Sequence, residues 1–260
     1  MAVPGPLATR ATSGPLSQPI VAGSIGFLAA LSIIPAAARL LDVDRGTFFF
    51  QRPRIETLGY TGFGVVVGFA LLASASLVGS VSVTLADLSL RAVFGHLLAA
   101  ILVGLWTGTI EEFLVRGVFL SLLGHRWHWP GAIGATSLLF GLLHHGAAAG
   151  TTASMLYITV TTLAGVLFAL VTVVTGNIWN AVALHATWNG LFNAYVVGLE
   201  PPGEITPIFT IEVRGANQLL SAGGASLTES PLAVALFASA LLGYGVWTAR
   251  DSYSNERHQS

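Results

Sequence analysis

Apolar runs recur along the chain, separated by short polar stretches. A membrane-spanning helix needs about 20 consecutive apolar residues. Seven runs approach that length, at 20–41, 58–82, 92–123, 131–148, 154–175, 177–198 and 231–249. The pattern predicts an all-α, polytopic membrane helical bundle of seven or so transmembrane helices. The third run is long, and fits either two helices or one strongly tilted helix. Residues 1–19 are rich in Pro, Gly, Ser and Thr and lack the apolar segment of a signal peptide, so a disordered N-terminal tail is expected there. The transmembrane domain would then occupy 20–249. A loop at 199–230 would lie outside and a short tail at 250–260 inside. Within that loop, ITPIFTIEV (205–213) has strand-like alternation and suggests a short hairpin or lid.

Composition agrees with this reading. Hydrophobic residues make up 53% of the chain and charged residues 9%, with a mean hydropathy of +0.75. A soluble domain carries about 25% charged residues. The net charge of −1 gives no basic surface for nucleic acid. With no cysteine, disulfides, thiolate metal sites and cysteine nucleophiles are excluded. Every basic residue is an arginine, and arginine placement sets orientation. Arg39, Arg45, Arg52, Arg54, Arg126, Arg250 and Arg257 fall on one side of a seven-span bundle. Only Arg10, Arg91 and Arg214 fall on the other. The crowded side should be cytoplasmic. The chain is then a multi-pass protein of the cell membrane with its C-terminus in the cytoplasm. The three phenylalanines of the main cytoplasmic loop, Phe48, Phe49 and Phe50, are expected at the membrane interface.

Ionisable groups inside membrane spans are costly and tend to mark function. Here they are few. The third span holds Glu111, Glu112 and Arg116, the fourth His144 and His145, and the sixth His185 with Asn180, Asn189 and Asn193 nearby. At about 1.5 Å per residue, Glu111, His144, His185 and Asn189 all lie roughly 12–20 Å from the arginine-rich face. Three helices of different direction thus bring polar groups to one level.

Helical phase separates their roles. Glu112 and Arg116 are four apart and can pair on one face. Glu111 is turned about 100° away and has Val115 at its own i+4 position, so it lacks that partner. Glu112–Arg116 reads as a structural ion pair and Glu111 as the free carboxylate. His185 and Asn189, and Phe140 and His144, repeat the four-residue spacing. A desolvated carboxylate, two imidazoles and an amide suit hydrolysis. The carboxylate takes a proton from water, one imidazole holds that water, and the other imidazole and the amide donate to the oxyanion. The same set could instead hold a divalent metal such as zinc, through Glu111, His144 and His185.

E-E-x-x-x-R (Glu111, Glu112, Arg116), F-x-x-x-H (Phe140, His144) and H-x-x-x-N (His185, Asn189) occur in this order on successive spans. The set resembles the CPBP intramembrane proteases, the family of the type II CAAX prenyl endopeptidases and their prokaryotic Abi relatives. The resemblance covers residues 92–198. It implies an all-α membrane peptidase with a polar cavity open toward the cytoplasm. Glu111 and His144 would activate water, and His185 and Asn189 would stabilise the oxyanion. Phe140 would pack beside the site. A peptide or membrane-anchored protein would be the substrate. No cofactor is required by this mechanism, although the family is often labelled metalloprotease. There is no H-E-x-x-H and no G-x-S-x-G elbow.

Other readings of the same residues are concrete. A transporter, proton relay or bacteriocin-immunity protein would use the same polar cavity without cleaving anything. A purely structural member would use these groups to fix helix packing. His145 is expected at the cavity rim, and Asn193 in a structural role on the Asn189 stripe. Asn180 falls off that stripe. His96, His125 and His128 read as interfacial, with Trp127 and Trp129 as an aromatic belt. His258 lies in the tail.

Overall fold

The computed structural model describes residues 16–40, 45–77, 79–145, 151–192, 195–198, 205–214 and 227–259. The predicted tail up to residue 15 and most of loop 199–230 lie outside them, as does Asn193. The described chain is a helical bundle with one small sheet. Its helices are α1 (Ser17–Leu40), α2 (Thr57–Ala75), α3 (Leu90–Glu112), α4 (Ser121–Arg126), α5 (Trp129–Leu143), α6 (Thr151–Thr175), α7 (Ile178–Leu191) and α8 (Pro231–Gln259). Its strands are β1 (Ser80–Leu85), β2 (Val197–Gly198) and β3 (Phe209–Arg214).

Four helical stretches are long and apolar enough to cross a membrane: Thr57–Ala75, Leu90–Arg126, Thr151–Thr175 and Pro231–Arg250. The long third run is neither two separate helices nor one regular helix. From Phe113 to Leu120, directly after the glutamate pair, α3 opens into π-helical turns before α4 resumes. Such turns occur mostly at functional positions in helices.

Two predicted spans are shorter than expected. Helix α5 has 15 residues and α7 has 14. At 1.5 Å per residue they are about 22 and 21 Å long, less than the hydrocarbon core. Pro130 opens α5 and Asn177 caps α7, its side chain accepting from Trp179 N at 3.1 Å. Both helices therefore start from the arginine-rich end and stop part-way. His144 is the first residue after α5, and Asn189 lies in the last turn of α7.

The second predicted span also ends early. Ser74 and Ser76 hydroxyls donate to Leu71 O and Ala73 O where α2 stops, and SVSVTL (80–85) alternates as a strand. β1 pairs antiparallel with β3, and β2 lies parallel on the other side of β3. The strand expected near 205–213 exists, but its partners come from elsewhere in the chain and it makes no local hairpin.

Helices α3 and α7 meet closely, and this contact places the site. A β-carbon at Gly104 would lie 2.5 Å from Ala186 O, and one at Gly108 would lie 2.9 Å from Ala186 N. Only glycine at these two positions, four apart on one face of α3, lets the two backbones touch. The register of that contact sets Glu111 and Glu112, one turn further along α3, beside His185.

The phenylalanines of the first loop pack against the bundle. Phe48 is buried, and Phe50 packs edge-on to Phe113 at 4.9 Å. Gly117 leaves the room: a β-carbon there would come 2.9 Å from Phe50 Cζ. The strap is tied by Ile178 N donating to Phe49 O at 3.1 Å and Asn177 Nδ2 to Arg52 O at 3.2 Å.

Candidate active site

Glu112 and Arg116 are fully buried and joined at 2.8 Å, as their spacing predicts. The guanidinium also donates to Gly165 O at 2.9 Å and lies 4.5 Å from the Phe140 ring centre. Phe140 therefore covers the ion pair as well as packing on the His144 ring at 4.7 Å. Two charges so deep in a bundle need each other, because desolvation costs several kcal/mol per ion. Glu112 has a second partner that spacing alone does not reveal: His185 Nδ1 lies 2.9 Å from its Oε1.

Glu111 is placed differently. Its side chain is 22% exposed and makes no close ion pair. Its Oε2 lies 3.8 Å from His185 Nε2 and 4.0 Å from His144 Nε2. These separations exceed a direct hydrogen bond, and a water with legs of about 2.8 Å spans them. Glu111, His144 and His185, from three helices, thus converge at the common depth expected of them.

Hydrogen bonding settles the orientation of both imidazoles. The chain turns off at His144, whose amide donates to Gly141 O, and its Nδ1 lies 2.7 Å from Phe140 O. A carbonyl only accepts, so Nδ1 carries the proton and Nε2 faces Glu111 with a lone pair. His185 Nδ1 likewise donates to the carboxylate of Glu112, already held by Arg116. Its Nε2 then faces Glu111.

Asn189 donates from Nδ2 to Thr107 Oγ1 at 2.9 Å, and an amide nitrogen carries a second hydrogen. Thr107 was a missed residue with a readable signal: it lies four before Glu111, on the Glu111 stripe. Phe168 was missed without one. It is buried among the apolar residues of α6, yet its ring stacks on His185 at 4.8 Å and 18°.

The remaining polar residues take other places. His145 is exposed. Asn180 is buried off the stripe and accepts from the Thr57 hydroxyl at 2.7 Å. His125 and His128 are exposed and Trp129 is half-buried. His96 is buried within the protein, 4% exposed, with ring nitrogens 2.8 Å from Ala92 O and 2.9 Å from Thr206 O. It ties α3 to the segment leading into β3.

A metal held by Glu111, His144 and His185 was one reading of the sequence. Among the described residues no three His, Asp or Glu side chains are arranged to hold one.

Fold and site together define a polytopic membrane protein with a half-buried carboxylate–imidazole cluster where two short helices end. Residues 93–191 match the family model for type II CAAX prenyl endopeptidases, Rce1-like. The match runs from α3 through α7 and contains all three motifs, in keeping with a CPBP-type protease. At the level of that family the activity is proteolysis, a hydrolysis of protein substrates in a membrane setting. No curated protein matches the chain, and no solved structure does.

Proposed function

We propose that the protein is an intramembrane endopeptidase in which Glu111 activates the hydrolytic water. The observation that carries this reading is the convergence of both Nε2 atoms on Glu111 Oε2, at 3.8 and 4.0 Å. Water between Glu111 and His144 donates one hydrogen to each, which aims its oxygen lone pair at a substrate carbonyl. On attack Glu111 takes the proton, and the carbonyl oxygen becomes an oxyanion. His185, with Nδ1–H on Glu112 and a second proton on Nε2, donates to that oxyanion, joined by the spare Asn189 N–H. When the tetrahedral intermediate collapses, Glu111 returns its proton to the leaving amine.

The substrate is a peptide segment of a membrane-anchored protein, entering from the cytoplasmic side that the arginines mark. Lipid contacts the remaining apolar surface, and no nucleic acid takes part. A proton relay through Glu112, His185, Glu111 and His144 is the rival that the same chain of contacts supports. Purified protein in liposomes, offered a quenched library of prenylated and unmodified peptides with and without chelator, separates the two. Cleavage unaffected by chelator is expected. Proton flux across the liposomes with no cleavage would overturn the peptidase reading.

A further inference from the structure

Phe168 lies outside every motif, yet it touches both groups that hold Glu112. Its ring stacks face-on with His185, at 4.8 Å between centres and 18° between planes. The Arg116 guanidinium carbon lies 5.4 Å from the centre of the same ring. Phe140 meets Phe168 edge-on at 6.5 Å and His185 edge-on at 5.8 Å. An imidazole hydrogen-bonded through Nδ1 alone can still swing about that bond. Any such rotation moves Nε2 away from Glu111, and a flat ring on its face blocks it. The stack therefore fixes what the Glu112 bond leaves free.

We propose that Phe168 is a positioning residue of the site: its ring holds the His185 plane in which Nδ1 stays on Glu112 while Nε2 faces Glu111. The proposal rests on the hydrolytic reading above for its kinetic consequence, though not for its geometric one. Nothing about the residue type is unusual in a membrane helix. What singles it out is its near-parallel stacking, where the other aromatic pairs among the described residues are tilted or edge-on.

Two variants test it. Phe168→Leu removes the flat face and keeps an apolar side chain, whereas Phe168→Tyr keeps the face. Phe168→Leu should lower kcat about 10- to 100-fold with KM changed by less than about threefold, because only the geometry of attack is disturbed. Phe168→Tyr should restore most of the rate. 15N-histidine spectra, with the His185 signals assigned by their loss in His185→Asn, give a readout independent of activity. Wild type and Phe168→Tyr should show a single, unbroadened environment for His185, and Phe168→Leu an exchange-broadened mixture. Unchanged His185 signals in a folded Phe168→Leu protein would overturn the proposal. So would equal kinetic losses in the Leu and Tyr variants. If no variant, wild type included, cleaves peptide while the His185 signals change as expected, the peptidase reading fails and the positioning role stands.

Discussion

Arg116 shows how much of the site is held by one residue. It neutralises Glu112, and Glu112 in turn fixes the His185 ring; all three are buried among helices. Arg116→Met would leave the Glu112 carboxylate buried without its cation. Loss of one partner from such a pair costs about 3–5 kcal/mol, so the variant should melt well below wild type in detergent. A melting point within a degree or two of wild type would show that the pair is not a structural element. The glutamates were separable from sequence because i+4 spacing assigns Arg116 to Glu112 and leaves Glu111 apart. The bond from Glu112 to His185 was not, because it joins residues from two helices whose rotation no local pattern states. Phe168 was illegible for a simpler reason: one aromatic side chain in an apolar helix looks like any other.

At the scale of elements, the site depends on the close contact of α3 and α7. Gly104→Val would put side-chain atoms where the Ala186 carbonyl lies, and backbone cannot give way as a flexible side chain can. Overpacking of this kind costs about 1–3 kcal/mol and should separate the two helices. The expected result is a lower melting point together with lost activity, whereas Gly131→Val, where the added carbon meets nothing within 4 Å, should change neither. Retained activity in a folded Gly104→Val protein would mean that the helix contact does not set the site. Helix positions were readable from apolar runs, whereas the close approach at Gly104 and Gly108 was not singled out. Helix ends were not readable either. Hydropathy continues past Leu143 and Leu191, but the helices stop, and the second apolar run takes in the first half of the alternating SVSVTL. The π-helical turns after Glu112 leave no mark in the sequence pattern.

For the whole molecule, the arginine distribution proposes an orientation that the fold gives a means to test. The chain has no cysteine, so single introduced thiols report without background. Arg54, in the first loop, and Ser82, in β1, are both exposed and lie before and after α2. With a membrane-impermeant maleimide on intact cells, Ser82→Cys should label at once and Arg54→Cys only after permeabilisation. The opposite pattern would turn the bundle over and place the ends where α5 and α7 begin outside the cell. The same placement explains why the short helices matter. Both start from the arginine-rich end and end near the cluster, with His144 directly after α5 and Asn189 in the last turn of α7, so on the proposed reading substrate and water would meet it where helix gives way to turn.

The most direct test of the central claim is a single substitution at Glu111, the carboxylate of the pair that Arg116 does not hold. Glu111→Gln keeps the shape of the side chain and removes its ability to take a proton. Reconstituted in liposomes and assayed beside wild type on a cleaved peptide, it should melt as wild type does and lose about 10²- to 10⁴-fold in kcat. Cleavage by a folded Glu111→Gln protein at the wild-type rate would contradict the assignment of Glu111 as the base that activates water.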